Sequence, residues 1–408
     1  LTAIAAGLRA RRRELAELAV REMGKPIGAA EAEVDKCAAT FDWYAGEAAR
    51  ILAPLPVAVE GSECRVRYDP LGAILAVMPW NFPYWQAVRF AAPALAAGNV
   101  GLLKPASNVT GCALALEETL TAAGLPAGVF QLLLVRGERA ATLAADPRIA
   151  ALTLTGSEAA GAAVGAVAGA ALKKVVLELG GADPFLVLPS ADLAAAARAA
   201  VAARTVNNGQ SCIAAKRFFV HAAAWDGFVP AFVSALAALR VGDPMDPATE
   251  LGPLAGAALR DELDRQVRAS LGGGATLLAG GHALPGPGFF YAPTAIAEPP
   301  ADSPAAREEL FGPVAAIFRV ADLDEALTRA NDSPFGLGAA VWTGERHEAE
   351  RAAAELEVGT VRVNGVVASD PRLPFGGVKR SGHGRELGEW GLREFVNVKS
   401  VQLGGELR

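Results

Sequence analysis

Cysteine and histidine are scarce in this chain, with four of each among 408 residues. Cys37, Cys64, Cys112 and Cys212 form no C-x-x-C pair, so neither a zinc site nor a disulfide framework is expected, and no metal is assigned. Free thiols fit a reducing compartment, which makes the cytoplasm the expected location. Long basic runs are absent and the net charge is −6, which excludes nucleic acid as an expected partner. Arg9, Arg11, Arg12 and Arg13 are followed by Glu14, Glu17 and Glu22, the mixture of a solvated helix face. The longest uncharged small-residue stretch, 159–172, is too short to cross a bilayer and is rich in Gly and Ala, so no membrane partner is expected. No signal-peptide pattern opens the chain.

What is present is an α/β alternation. The first 50 residues read as two amphipathic helices split at Gly24-Lys25-Pro26. Residues 63–68 alternate like a strand, and 71–78 form a short apolar run of a buried strand. Helical patterns at 90–97, 112–123 and 158–171 alternate with strand patterns at 100–103, 129–135, 150–155 and 174–178. A second series follows Phe185, with strands at 218–220, 315–319, 339–342 and 360–364. Such alternation predicts parallel sheets with helices on both faces, and 408 residues predict two or three domains. Residues 272–293, rich in Gly and Pro, read as a surface excursion with turns. Residues 397–403 alternate again.

Three of the cysteines read as small hydrophobes. Cys212 differs, because Asn208-Gly209-Gln210-Ser211-Cys212-Ile213 gives it a turn from which a thiol can project into a cleft. Glu178 stands in Leu177-Glu178-Leu179-Gly180-Gly181, where apolar neighbours raise a carboxyl pKa towards that of a general base. With Trp80-Asn81-Phe82-Pro83, Lys104-Pro105-Ala106-Ser107 and Glu309-Leu310-Phe311-Gly312-Pro313, these strings resemble the NAD(P)-dependent aldehyde dehydrogenase superfamily, in its order and over nearly the whole chain.

The resemblance implies an α/β fold with a Rossmann-type cofactor domain (1–57 and 70–180), an α/β catalytic domain (181–390) and a small oligomerisation sheet (58–69 and 391–408). It implies a homodimer or homotetramer. Members usually carry several dozen residues before the point where this chain begins, so an N-terminal piece is expected to be missing. Cys212 would attack the aldehyde, Glu178 would activate the hydrolytic water, and Asn81 would hold the oxyanion with the Cys212 N–H. Glu178 also favours release of a free acid over transfer to coenzyme A. The cofactor, NAD or NADP, would be held by Trp80, Lys104, Ser107, Glu309, Phe311 and the turn Gly156-Ser157, which departs from G-x-G-x-x-G. Serine rather than an acid at position 107 leaves room for a 2′-phosphate, so NADP is expected to be accepted.

The small-molecule partner is an aldehyde. The strings around Trp85, Arg89 and Ser369 resemble the bacterial succinate-semialdehyde dehydrogenase branch. There Arg89 would hold the distal carboxylate, Ser211 and Ser369 would donate hydroxyls, and Trp85 would wall the tunnel. A second Arg found six residues before the nucleophile in some members is Val206 here, which leaves a broad-range aldehyde dehydrogenase as the alternative. Glu386 matches a proposed proton-relay residue, but its usual Lys partner falls at Phe90. A catalytically silent homologue would be expected to lose Cys212 or Glu178, and both are present.

Overall fold

The computed structural model describes residues 1–404; the last four residues of the predicted arm, 405–408, lie outside the described residues. The chain opens with three helices, Thr2–Ala10, Arg12–Met23 and Ile27–Ile51. The expected break at 24–26 is there, and Gly24 takes the left-handed conformation (φ 83°) that ends the second helix. A further break falls at Arg11, whose side chain leaves the helical path to bond Glu14, Thr119 and Glu118. The other early arginines pair with Asp42, Asp35, Glu31 and Glu17 across the helix faces.

The first α/β unit is a six-stranded sheet. Its order is Gly382–His383, Lys174–Glu178, Ile149–Thr155, Ala73–Val77, Val100–Lys104, Phe130–Leu132, all parallel but for the first strand. The strand expected over 129–135 keeps only three residues, and a helix that the pattern did not announce, Gly137–Ala144, follows it.

A second, seven-stranded sheet runs Thr276–Ala279, Thr294–Ala297, Val314–Val320, Arg217–His221, Pro184–Val187, Gly338–Trp342, Thr360–Val363. Only its first pair is antiparallel. Central strands such as Gly338–Trp342 are buried throughout, as parallel strands covered on both faces must be. Thr276–Ala279 shows that the segment read as a surface excursion contributes an edge strand.

The third sheet joins Leu55–Val59, Ser62–Pro70 and Val396–Gly404, antiparallel throughout. Its first strand was not anticipated. All five of its residues are exposed, so no alternation marks it.

One contact between the first helices and the start of the helix Trp85–Ala96 positions the site. Glu33, buried in the helix Ile27–Ile51, accepts the N–H groups of Tyr84 and Trp85 at 2.8 Å each and pairs with buried Lys25. A carboxylate there satisfies orphan donors and complements the dipole at the start of the helix Trp85–Ala96. That helix therefore begins at Trp85 rather than at 90, on a cap supplied from 52 residues away in sequence.

Candidate active site

Loops that leave the carboxyl ends of parallel strands are where an open α/β sheet gathers its ligand-binding residues. Trp80 and Asn81 follow the strand Ala73–Val77, and Ser107 follows Val100–Lys104. Gly156 and Ser157 follow Ile149–Thr155, and Glu178 ends its own strand. All of these lie along one edge of the six-stranded sheet.

Cys212 reaches that edge from the other unit. After the helix Leu193–Thr205 the chain runs through three consecutive left-handed residues, Asn207 (φ 55°), Asn208 (φ 59°) and Gly209 (φ 75°). Asparagine tolerates this conformation, and here both side chains secure it. Asn207 Nδ2 donates to the Asn81 carbonyl at 2.6 Å and to the Gln210 carbonyl at 3.1 Å. Asn208 Nδ2 donates to the Gly24 and Pro253 carbonyls, both at 2.9 Å. At Gly209 a Cβ would stand 2.3 Å from the Gly312 backbone, so no other residue fits. Beyond the thiol, the buried Lys216 ammonium donates to the carbonyls of Ser211, Cys212 and Ala214 at 2.8, 2.7 and 3.1 Å.

Cys212 lines two cavities, of about 250 and 240 Å³. The first is walled by Phe82, Trp85, Val206, Ile213 and Phe375, and Lys36, Arg89, Ser211 and Ser369 reach into it. The second is bounded by Trp80, Asn81, Gly156, Ser157, Glu309 and Phe311. The thiol is thus the septum between them, and only Gln86 shares both linings with it. Burial raises the thiol pKa to about 12, against the pull of Arg89 and Lys216.

Asn81 Nδ2 donates to the Gln210 carbonyl at 3.0 Å, which anchors the amide two residues from Cys212 and leaves its second N–H unspent. Glu178 is 1% exposed and lines neither cavity. Neither of its carboxylate oxygens has a hydrogen-bond partner. Burial raises its pKa to about 8, opposed by the Arg89 charge and reinforced by Glu386.

Arg89 is 2% exposed and committed in two directions. Its guanidinium pairs with Glu386, and Nη2 donates to Thr155 Oγ1 at 3.1 Å. Glu386 therefore has a cationic partner, one position before the Phe90 that sequence register pointed to. Phe90 itself packs edge-on against Phe395.

In the second cavity, Ser157 caps the helix Glu158–Ala170 by accepting the Ala160 N–H at 3.3 Å. Trp80 and Phe311 meet edge to face at 5.8 Å. Glu309 accepts the Gly181 N–H at 3.0 Å and pairs with Lys216 at 3.3 Å. Burial raises its pKa, with Lys216 the main opposing influence. Lys104 and exposed Ser107 sit further along the same sheet edge, outside this cavity.

A model of the aldehyde dehydrogenase family matches residues 1–401. The chain belongs to the aldehyde dehydrogenase family. It is 53% identical over 394 residues to a succinate-semialdehyde dehydrogenase [NADP(+)] of Mycolicibacterium paratuberculosis, covering 96% of this chain and 84% of that one. Against succinate-semialdehyde dehydrogenase [NADP(+)] 1 of Mycobacterium tuberculosis the figures are 54% over 393 residues, 96% and 86%. Among solved structures, a succinic semialdehyde dehydrogenase from Streptococcus pyogenes in complex with NADP+ superposes with a TM-score of 0.97. It is 38% identical and covers 99% of this chain and 89% of its own. An NAD-dependent aldehyde dehydrogenase from Sinorhizobium meliloti superposes with a TM-score of 0.96 at 34% identity, covering 99% and 81%. The architecture of parallel sheets and a thiol loop is the aldehyde dehydrogenase fold.

Sequence reading did not single out Lys36, Gln86, Asn207 or Lys216. Asn207 carried a usable signal, since an Asn-Asn-Gly run after a helix favours left-handed backbone. The others are marked only by tertiary contacts. The remaining cysteines bear out their reading as small hydrophobes in two cases: Cys37 and Cys112 are fully buried and their thiol pKa values are raised. Cys64 is half-buried in the arm.

Proposed function

We propose that this chain oxidises succinate semialdehyde to succinate through intermediates held on Cys212, with NADP or NAD as the oxidant. The observation that carries this reading is the position of Cys212, which faces two separate cavities at once. An aldehyde entering from one side would meet the thiol sulfur, and the residues lining the other side would hold a nicotinamide. The curated relatives bear this substrate and NADP(+) in their names.

The second cavity fits the nicotinamide end and the pyrophosphate of a dinucleotide, and the sheet edge beyond it, with Lys104 and Ser107, would take the adenosine end. The N-terminus of the helix Glu158–Ala170, with Ser157 at its cap, offers backbone N–H groups to a pyrophosphate. Glu309 offers a carboxylate to a ribose, Phe311 and Trp80 offer apolar faces, and Lys104 offers an ammonium. The absence of an acid at position 107 leaves a 2′-phosphate unopposed. When bound, the nicotinamide accepts a hydride.

Cys212 gives up its proton, with Glu178 as the base at hand, and the resulting thiolate attacks the aldehyde carbon, whose carbonyl oxygen becomes an oxyanion. The free N–H of the Asn81 amide and the Cys212 backbone N–H hold that charge. Loss of hydride leaves a thioester on Sγ. Glu178 takes a proton from water as the water attacks the thioester carbon, and the carbon–sulfur bond breaks to give the acid and the thiolate. A carboxyl with a pKa near 8 is matched to that proton transfer. Ser211 and Ser369 donate to the substrate, and Trp85 packs beside its chain.

One observation favours a broad-range enzyme: Arg89 is already paired with Glu386, so its charge is partly spent. Nucleotide binding would belong to 1–57 and 70–180, catalysis to 181–390, and assembly of a cytoplasmic homodimer or homotetramer to the strands of 58–69 and 391–408. No helix among the described residues is long and apolar enough to cross a membrane.

The test is the initial rate of reduced-nucleotide formation with succinate semialdehyde against butanal, each with NAD and NADP, with Cys212→Ala as blank. A preference for succinate semialdehyde that vanishes in the variant supports the reading. Equal rates with both aldehydes leave only the broad-range enzyme.

A further inference from the structure

Lys36 projects from the helix Ile27–Ile51 into the same cavity as Cys212, and nothing in the sequence marked it. It is half-buried, its ammonium lies 4.2 Å from the Trp85 ring centroid, and Nζ donates to Ser369 Oγ at 2.7 Å. Among the described residues it has no ion-pair partner within 4.0 Å, in contrast to every acid around it. Glu33, one turn away, is committed to Lys25 and to the N–H groups of Tyr84 and Trp85. Asp370, next to Ser369, is held in a two-point pair by Arg372 at 2.8 and 2.7 Å. Arg89, the other cation of the cavity, is paired with Glu386.

The charges of this cavity therefore cancel in pairs except for one. We infer that Lys36 is the anchor for the distal carboxylate of the substrate, with Ser369 as its hydroxyl partner, and that Arg89 is chiefly a positioning residue for Glu386. This rests on the ω-carboxy aldehyde reading above and names the residue that makes it. An ammonium on an apolar wall, with its stem along an indole and one hydroxyl beside it, leaves N–H donors for a carboxylate. A cavity of about 250 Å³ suits a short aliphatic chain between that charge and the thiol.

Burial, assisted by the Arg89 charge, lowers the Lys36 pKa to about 8, while Cys37, Glu33 and Asp370 oppose the shift. Above that pH the ammonium loses its proton, and selectivity for an anionic aldehyde falls with it.

The test compares kcat/KM for succinate semialdehyde and for butanal in the whole enzyme, its Lys36→Met and Lys36→Arg variants and Arg89→Met, across pH 6.5–9.5 at saturating cofactor. Lys36→Met is expected to lower kcat/KM for the acid about 10-fold to 100-fold through KM, with butanal little changed. Lys36→Arg is expected to restore most of it. In wild type the acid-to-butanal ratio is expected to fall through about pH 8, and to be flat in Lys36→Met, because shared groups cancel in the ratio. A wild type that prefers the acid, with Lys36→Met unchanged or equally impaired on both aldehydes, overturns the role of Lys36 and leaves the substrate reading standing. A wild type with no preference overturns both.

Discussion

Glu178 and Asp183 are buried carboxylates five residues apart, and their surroundings could hardly differ more. Asp183 sits where the chain enters the strand Pro184–Val187, between the charges of Lys216 and Arg217, and accepts the Gly338 N–H at 3.1 Å. Its backbone carbonyl also accepts the N–H of Lys216. Glu178 ends the neighbouring unit's strand with neither oxygen bonded. Burial raises both, Asp183 to about 7 and Glu178 to about 8. A buried carboxylate with partners braces a structure, whereas one without them keeps its lone pairs for a proton. The brace runs from Asp183 through Lys216 to the carbonyls around Cys212 and on to Glu309. The bare carboxylate is near enough to the same cysteine for its charge to raise the thiol pKa. One region fixes the thiol, and the other is left free to act on what the thiol binds.

Removing the sulfur at the meeting point of the two regions should separate chemistry from support most cleanly. Cys212→Ala is expected to lower kcat/KM by at least roughly 10,000-fold. Since Lys216 bonds main-chain carbonyls, the melting temperature should stay near that of wild type. A marked drop in melting temperature would mean that the thiol itself supports the loop.

Glu178→Gln tests the bare side. If Glu178 acts as the proposed general base, its loss is expected to lower kcat by about 100-fold to 10,000-fold. A burst of reduced nucleotide near one equivalent per site should remain, because the thioester forms but is not hydrolysed. Stability should move the opposite way. The raised pKa means that native Glu178 holds a proton that the unfolded chain releases above about 4.5. That stabilising contribution is complete below about 4.5 and is lost as pH rises through about 8. Wild type should therefore lose stability relative to Glu178→Gln over this window in urea titrations. A loss of stability in the variant at pH 8 would show that Glu178 is a brace after all.

Lys216→Met tests the braced side. It leaves Glu309 without its buried ion-pair partner, takes one of two neighbouring positive charges from Asp183 and leaves three carbonyls without a donor, and should destabilise by about 3–5 kcal/mol in denaturant titrations. Breaking the brace and the base should thus give opposite signatures, one in stability and the other in turnover.

The brace was not legible in the sequence, whereas the burial of Glu178 was. Glu178 and Cys212 stand in short strings in which glycines and apolar neighbours dictate a turn or burial locally. Most strands of the two large sheets announce themselves by apolar runs for the same reason, whereas Thr276–Ala279, Thr294–Ala297 and the two-residue Gly382–His383 do not. Lys216 and Lys36 are single lysines whose meaning lies in what folds against them. Lys36 meets Ser369, 333 residues away, and no periodicity records that. Leu55–Val59 leaves no mark in the sequence because a strand exposed at every residue has no pattern. The start of the helix Trp85–Ala96 carries no local signal because Glu33 caps it from another helix.

The smallest effect is expected where charge meets solvent. Ser107 is exposed, on a turn beyond Lys104 at the sheet edge, so a charge there is screened in a way that Glu178 and Asp183 are not. Ser107→Glu should nevertheless act on the choice of cofactor, since a carboxylate there would repel a 2′-phosphate and accept from a ribose diol. At two exposed charges and moderate ionic strength the repulsion amounts to about 1 kcal/mol, a shift of about 5-fold to 10-fold in kcat/KM for NADP relative to NAD. The shift should shrink as salt is raised, which the buried substitutions should not show. A ratio unchanged at low salt would mean that position 107 does not face the ribose. A large shift insensitive to salt would mean that cofactor binding buries this edge and makes it electrostatically like the two carboxylates within.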